Sequence, residues 1–224
     1  MKDETEKVIL RRKYLLITLW APNRWSNYIG YSFEGSDDPD FKTTDTLHLV
    51  KEIPIGVTTA SVETDKEYRY LRVKPPHRKR VTMNEAAFWA TDKDGNEYEI
   101  KGEIIYRNIE EKNAWQLFDK DYLTGNYSKS TYSWVGYDLG PDSRSKVSKV
   151  TYLPWNDGNF IEPGDEYELF YYDMDWHSLG KQVANNEYLE YDGVPRNAIL
   201  WLRNLTKGKE ERIFTYENGK QVWW

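Results

Sequence analysis

Short apolar runs that end at turn-forming residues recur along the whole 224-residue chain. Tyr28–Phe33 is followed by a polar turn, Tyr68–Val73 by two prolines, and Ala86–Ala90 by a turn containing Asp94-Gly95, a pair typical of β-hairpins. Within Tyr167–Tyr171, every second side chain falls on the same face, as on a strand with one buried side. No segment has the period of a long amphipathic helix. This pattern predicts an all-β fold built from antiparallel β-sandwiches.

The composition agrees with that prediction and excludes several classes of function. The chain contains 10 Trp, 18 Tyr and 7 Phe, and aromatic side chains favour the half-buried surface of a pleated sheet. Its formal net charge is −6 and its basic runs are short, so we do not expect a nucleic-acid partner. The absence of cysteine excludes thiol catalysis, disulfides and cysteine zinc sites.

Neither a membrane span nor an export signal is evident in the sequence. No stretch of 18 residues is continuously apolar, which is the minimum for a membrane-spanning helix. Residues 1–13 are charged throughout and do not have the composition of a signal peptide. If the natural protein is exported, we expect its leader to be missing from this chain.

The order of motifs in the first half of the chain is repeated in the second half. In each half, a strand is followed by a loop, then by a glutamate and a second strand, and finally by a two-residue turn. The matching segments are Tyr68–Val73, Asn84–Trp89 and Asp94-Gly95 in the first half, and Ile199–Arg203, Glu210–Phe214 and Asn218-Gly219 in the second. The repeat predicts two tandem modules, residues 1–108 and 109–224, of which the first is divergent or incomplete.

Several motifs in the second half resemble those of a known family. Leu117–Thr124, with the sequence LFDKDYLT, resembles the Asp-rich opening loop of discoidin, or coagulation-factor type C, domains. Trp134–Gly140 resembles the next strand and its Asp-Leu-Gly turn, and Val147–Leu153 and Tyr167–Trp176 follow in family order. The resemblance implies a jelly-roll sandwich of the galactose-binding-domain type that binds sugars, lipid headgroups or proteins through loops at one end.

The same resemblance implies a structural calcium ion. Family members commonly hold calcium between the opening loop and a late glutamate, which here gives the set Asp119, Asp121, Thr124 and Glu211. Carboxylate and carbonyl oxygens suit this hard cation. The glycine that the family usually places between the two aspartates is replaced by Lys120. The alternative interpretation is that Asp and Thr only cap turns in this loop.

A second loop has the composition of a sugar site. The residues Trp155, Asn156, Asp157 and Asn159 lie where the family displays ligand loops, and Tyr127 and Tyr132 are second-tier candidates. An aromatic ring covers the apolar face of a sugar, while amides and carboxylates bind its hydroxyls. The alternative is an Asn/Asp/Gly-rich turn in which Trp155 is a buried structural plug.

Enzymatic motifs are absent, and no catalytic residues are expected. The three histidines lie in unrelated contexts, and the sequence contains no nucleophile elbow, phosphate loop or HExxH motif. The tail from Gly208 to Trp224 resembles the C-terminal end of exported Bacteroidetes proteins that often carry a transglutaminase-like domain upstream.

These observations predict an extracytoplasmic, non-catalytic module that binds a carbohydrate or another cell-surface ligand. The alternative is a structural module that packs on and positions an upstream catalytic domain without binding a ligand. An exposed aromatic ring at one end of a sandwich favours the first interpretation, and complete burial of Trp155, Tyr127 and Tyr132 favours the second.

Overall fold

A computed structural model describes residues 4–13, 25–54, 56–125, 128–155, 158–208 and 211–224. These residues form an all-β fold of antiparallel sheets packed as sandwiches, which confirms the predicted fold class. Helix in the described ranges is limited to the five-residue α1 (Glu111–Trp115) and one 3₁₀ turn, Trp25–Tyr28. The chain divides into two compact units. We call Ala21–Trp155 the central unit, and Met1–Trp20 together with Asn156–Trp224 the terminal unit.

The strands are numbered in chain order. They are β1 (Thr5–Leu10), β2 (Ser32–Ser36), β3 (Asp45–Leu49), β4 (Thr58–Ser61), β5 (Tyr70–Lys74), β6 (Glu85–Thr91), β7 (Glu97–Glu99), β8 (Glu103–Arg107), β9 (Trp134–Asp138), β10 (Lys149–Leu153), β11 (Glu166–Asp173), β12 (Asp175–Val183), β13 (Leu189–Pro195), β14 (Leu200–Asn204), β15 (Ile213–Glu217) and β16 (Lys220–Trp223). The apolar run of residues 14–20 also predicts a strand, but these residues lie outside the part of the chain that the structure describes.

The central unit contains a five-stranded sheet, in the order β3-β2-β5-β9-β8, and a four-stranded sheet, in the order β4-β10-β6-β7. Phe33 on β2 joins the two sheets through aromatic contacts. Its ring centroid lies 5.6 Å from that of Phe88 on β6 and 5.3 Å from that of Tyr152 on β10. All three rings are buried, so they form the middle of a sandwich core.

The predicted module boundary at residues 108/109 is wrong, because the sheets of the central unit run across it. Strand β9 pairs with β5 on one side and with β8 on the other, and β10 pairs with β4 and β6. Strands before and after residue 108 therefore share the same two sheets. Gly136 permits the close approach of β9 to β5, since a Cβ atom there would lie 1.9 Å from the Leu71 carbonyl oxygen.

The terminal unit has a five-stranded sheet, in the order β12-β11-β14-β15-β16, and a two-stranded sheet of β1 and β13. Its core packs Tyr167 and Leu169 of β11 against Val8 and Leu10 of β1 and their neighbours. The hairpin β11–β12 with β14 on its other side repeats the arrangement of β2, β3 and β5 in the central unit. The sequence repeat thus corresponds to a repeated strand arrangement. The boundaries between the compact units, however, lie at residues 20/21 and 155/156 and not at 108/109.

Candidate functional site

One end of the central sandwich carries most of its long loops. The antiparallel register aligns the start of β2 with the ends of β3 and β5, the start of β6 with the end of β10, and the start of β9 with the end of β8. The connections at these strand ends therefore emerge on the same side of the sheets. We call this side the loop end; it comprises residues 25–31, 50–54, 75–84, 108–125, 128–133 and 154–155.

Buried tyrosines hold the loop end together. Tyr28 donates its hydroxyl to the Thr82 carbonyl oxygen at 2.9 Å and accepts the Trp155 backbone N–H at 2.8 Å. Burial raises the pKa of Tyr28, so its hydroxyl stays protonated and available as a donor. The hydroxyl of Tyr31 donates to the Arg80 carbonyl oxygen at 2.6 Å. Trp155 is thus anchored to the loop end through its backbone.

Two of the predicted ligand-binding rings are exposed at the loop end. The Trp155 side chain is 39% exposed, and that of Tyr132 is 52% exposed. Tyr132 has a positive φ of 61°, and its ring meets the edge of His77 at a centroid distance of 5.2 Å. Neither ring is a buried plug. Tyr127 lies outside the described residues.

The rest of the predicted ligand loop belongs to the terminal unit. Asn159 is only 4% exposed, and its carbonyl oxygen accepts the Lys13 backbone N–H at 2.7 Å. The assignment of Asn159 to a solvent-facing ligand loop is therefore wrong, because the residue is buried. Asn156 and Asp157 lie outside the described residues.

The Asp-rich loop between α1 and β9 is a tight set of capped turns. Asp119 accepts the Asp121 backbone N–H at 2.8 Å and the Thr124 hydroxyl at 2.9 Å, and Asp121 accepts the Leu123 N–H at 3.0 Å. Lys120 lies between them with a φ of 65°, in the left-handed region that favours glycine. Three of the four predicted calcium ligands are thus neighbours, and their described contacts are those of turn caps.

A buried glutamate that the sequence interpretation missed lies beside this loop. Glu85, at the start of β6, accepts the backbone N–H of Lys120. Its Oε2 atom is buried and has no hydrogen-bond partner in the part of the chain that the structure describes. Burial, reinforced by the nearby charge of Asp119, raises the pKa of Glu85 to about 8. At neutral pH this carboxyl group therefore holds its proton unless a cation is bound next to it.

Neighbouring polar groups fix the loop on β6. Asn84 donates its amide to the Tyr122 carbonyl oxygen at 3.1 Å. Lys120 places its ammonium 2.7 Å from Glu99 Oε2, and Lys101 contacts the other oxygen of the same carboxylate. Burial acts to raise the pKa of Glu99, but the two ammonium groups outweigh it and the pKa is lowered. Glu99 is therefore ionised, and its charge is neutralised by lysines of the chain.

Glu211, the fourth predicted calcium ligand, has a different environment. It lies in the terminal unit, where it accepts the Asn204 backbone N–H at 3.2 Å and lies 3.7 Å from the Arg203 Nε atom. Burial raises its pKa, while the charges of Arg203 and Lys13 oppose that effect. Its described partners all belong to its own unit, and none of its described contacts is with Asp119, Asp121 or Thr124.

No group of three or more His, Cys, Asp or Glu side chains is arranged to hold a metal ion within the described ranges. The described helices also include none that is long and apolar enough to cross a bilayer. Comparisons with protein-family models, curated proteins and solved structures gave no match.

Proposed function

We propose that the protein is a non-catalytic carbohydrate-binding or cell-surface adhesion module of the discoidin type, with the loop end of the central unit as its ligand-binding surface. The observation that carries the proposal is the exposure of Trp155 and Tyr132 on that surface. Sugar sites combine an open ring face with nearby polar groups. The Lys79 ammonium and the Asn27 side chain, which bond each other at 2.9 Å, supply such groups on the same loops.

The alternative function, a structural module that positions an upstream catalytic domain, receives less support. It requires the rings of the ligand loops to be packing elements, and Trp155 and Tyr132 are both open to solvent. An extracytoplasmic location and an upstream transglutaminase-like partner remain proposals that rest on the resemblance of the tail to exported proteins.

The proposal includes a bound calcium ion, but its ligands differ from the set expected from the sequence. The resemblance implies an ion between the opening loop and a late glutamate, and the glutamate in contact with the loop is Glu85. Its unpaired, buried Oε2 atom beside the Asp119 carboxylate is an arrangement that a cation would stabilise. We propose that Glu85 and Asp119 hold calcium, with loop carbonyl oxygens and water completing a shell of about six to eight oxygens.

The functional proposal predicts that Trp155→Ala removes glycan binding and leaves the fold intact. Shallow sugar sites bind weakly, with dissociation constants on the order of 0.1–1 mM, or roughly 4–5.5 kcal/mol. Loss of one stacking ring therefore abolishes most measurable binding. A glycan array identifies the ligand, and calorimetric titration then compares the wild type with the variant.

Because Trp155 is partly exposed, the same substitution should lower the free energy of unfolding by only about 1 kcal/mol or less. Tyr98→Ala is the matched control, since Tyr98 is 48% exposed on β7, outside the loop end, and the variant should bind the glycan as the wild type does. A stability loss of about 3–5 kcal/mol in Trp155→Ala, with binding unchanged, would identify the ring as a structural plug.

A further inference from the structure

The solvent side of the five-stranded sheet in the terminal unit carries a row of aromatic rings. Along β11, Tyr167 and Leu169 point into the core, so Phe170 and Tyr172 face outward. Phe170 lies opposite Trp201 on β14, and Tyr172 lies opposite Trp176 on β12. We call the set of Phe170, Tyr172, Trp176 and Trp201 the aromatic face.

The four rings contact one another across three strands. Ring centroids are 5.6 Å apart for Phe170 and Trp201, 5.4 Å for Tyr172 and Trp176, and 5.4 Å for Trp176 and Trp201. Tyr172 remains 47% exposed, and the other three rings are partly exposed. The solvent face of an antiparallel sheet is normally polar, and the core of this unit is complete on the opposite side. The aromatic face is therefore available for an external partner.

Charged side chains of both signs border the aromatic face, among them Glu168 on β11 and its cross-strand partner Lys181 on β12. Glu168 and Arg203 lie directly opposite each other on β11 and β14. The Ser178 hydroxyl donates to Glu168 at 2.7 Å, and the Arg203 guanidinium lies over the Trp201 ring, 5.0 Å from its centroid. Because anions and cations alternate around the patch, no single sign of charge dominates that would select an acidic or a basic macromolecule. A carboxylate acceptor and a guanidinium donor complement the hydroxyl groups of an uncharged polyol.

We propose that the aromatic face is a second carbohydrate site that binds an extended, uncharged polysaccharide across β12, β11 and β14. Successive ring contacts join Tyr172 to Trp176, Trp176 to Trp201 and Trp201 to Phe170 at centroid distances of 5.4–5.6 Å, so the patch is larger than one sugar ring and favours a polymer over a single sugar. The inference rests on the proposed function for its class of ligand but uses different residues, in the other unit.

Affinity electrophoresis of the full chain tests this site. Native gels contain hydroxyethylcellulose, xylan or galactomannan as neutral polymers, and polygalacturonate as a charged one. We expect retardation by at least one neutral polymer, and Trp176→Ala should weaken it at least about tenfold. Tyr98→Ala, on β7 and outside both proposed sites, is the control and should leave retardation unchanged. Tyr172→Ala, at the most exposed ring, gives a second variant if Trp176→Ala lowers the melting temperature strongly.

The inference is overturned if none of the neutral polymers retards the wild type, or if Trp176→Ala and Tyr172→Ala migrate as the wild type does. It is also overturned if sedimentation velocity shows a dimer that Trp176→Ala dissociates, because the aromatic face is then covered by a second copy. If Trp155→Ala alone abolishes retardation, the polymer binds at the loop end. In that case this inference fails while the proposed function stands.

Discussion

Gly136→Ala is expected to destabilise the central unit by about 3 kcal/mol or more, near the upper limit for overpacking. The added Cβ atom would lie 1.9 Å from the Leu71 carbonyl oxygen and 2.7 Å from the Arg72 Cα atom, which are both backbone atoms of β5. Strand β9 lies between β5 and β8, so it has no open side toward which to move. Urea unfolding followed by circular dichroism measures the loss as a lower midpoint.

Gly125→Ala is the matched control for this substitution. The nearest atom to a Cβ there is the Asn84 Oδ1 atom at 3.7 Å, an ordinary contact. We expect its stability to stay within about 1 kcal/mol of the wild type. Equal stability of the two variants would mean that β9 does not pack against β5, and would restore a module boundary between them.

We expect the free energy of unfolding to decrease as the pH rises from 5 to 8, because Glu85 loses its proton in the folded state over this range. Its pKa is raised to about 8 in the folded protein, whereas an unfolded glutamate ionises near its ordinary value. The folded state therefore binds the extra proton between these values, and stability falls as the pH rises through that window. At about 1.4 kcal/mol per pKa unit, the loss between pH 5 and pH 8 is on the order of 3–4 kcal/mol. Chemical unfolding in EDTA at several pH values measures it.

Glu85→Gln separates this effect from those of other titrating groups. The amide stays neutral at every pH, so the stability of the variant should change much less between pH 5 and pH 8.

Calcium should raise the melting temperature of the wild type, more strongly at pH 8 than at pH 6, because the ion competes with the proton on Glu85. Glu211→Gln should retain the calcium effect. An identical calcium response in wild type and Glu85→Gln would exclude Glu85 as a ligand.

Local sequence patterns predicted several of the strands, whereas others, such as β1, β3, β12 and β13, were not predicted. The run Trp134–Gly140 contains β9, Val147–Leu153 contains β10, and the alternation in Tyr167–Tyr171 correctly identified the buried face of β11. These features depend on side-chain period and turn residues, which are properties of a few consecutive positions. For Trp155 the sequence left both an exposed ring and a buried plug open, because burial depends on contacts with distant residues that a local pattern does not specify.

Strand pairing over long distances could not be predicted in the same way. Whether β9 pairs with β5 or with a later strand depends on register and on the space beside Gly136, which no local pattern specifies. The same long-range pairing decides which glutamate lies beside the Asp-rich loop. The repeat places Glu85 and Glu211 at matching positions, and the choice between them depends on which strand carries the Asp-rich loop. The loop contacts Asn84 and Glu85 at the start of β6, so Glu85 is the carboxylate that we propose as a calcium ligand.

Chemical-shift mapping of the ten tryptophan indole N–H groups is the most direct test of the proposed function. Full-length protein is titrated with the best-binding oligosaccharide from the glycan array, and Trp155→Phe identifies the Trp155 signal by its disappearance. We predict that the Trp155 indole signal shifts with saturation at millimolar or lower glycan concentration. Binding of the glycan with no change in the Trp155 signal would contradict a carbohydrate site at the loop end.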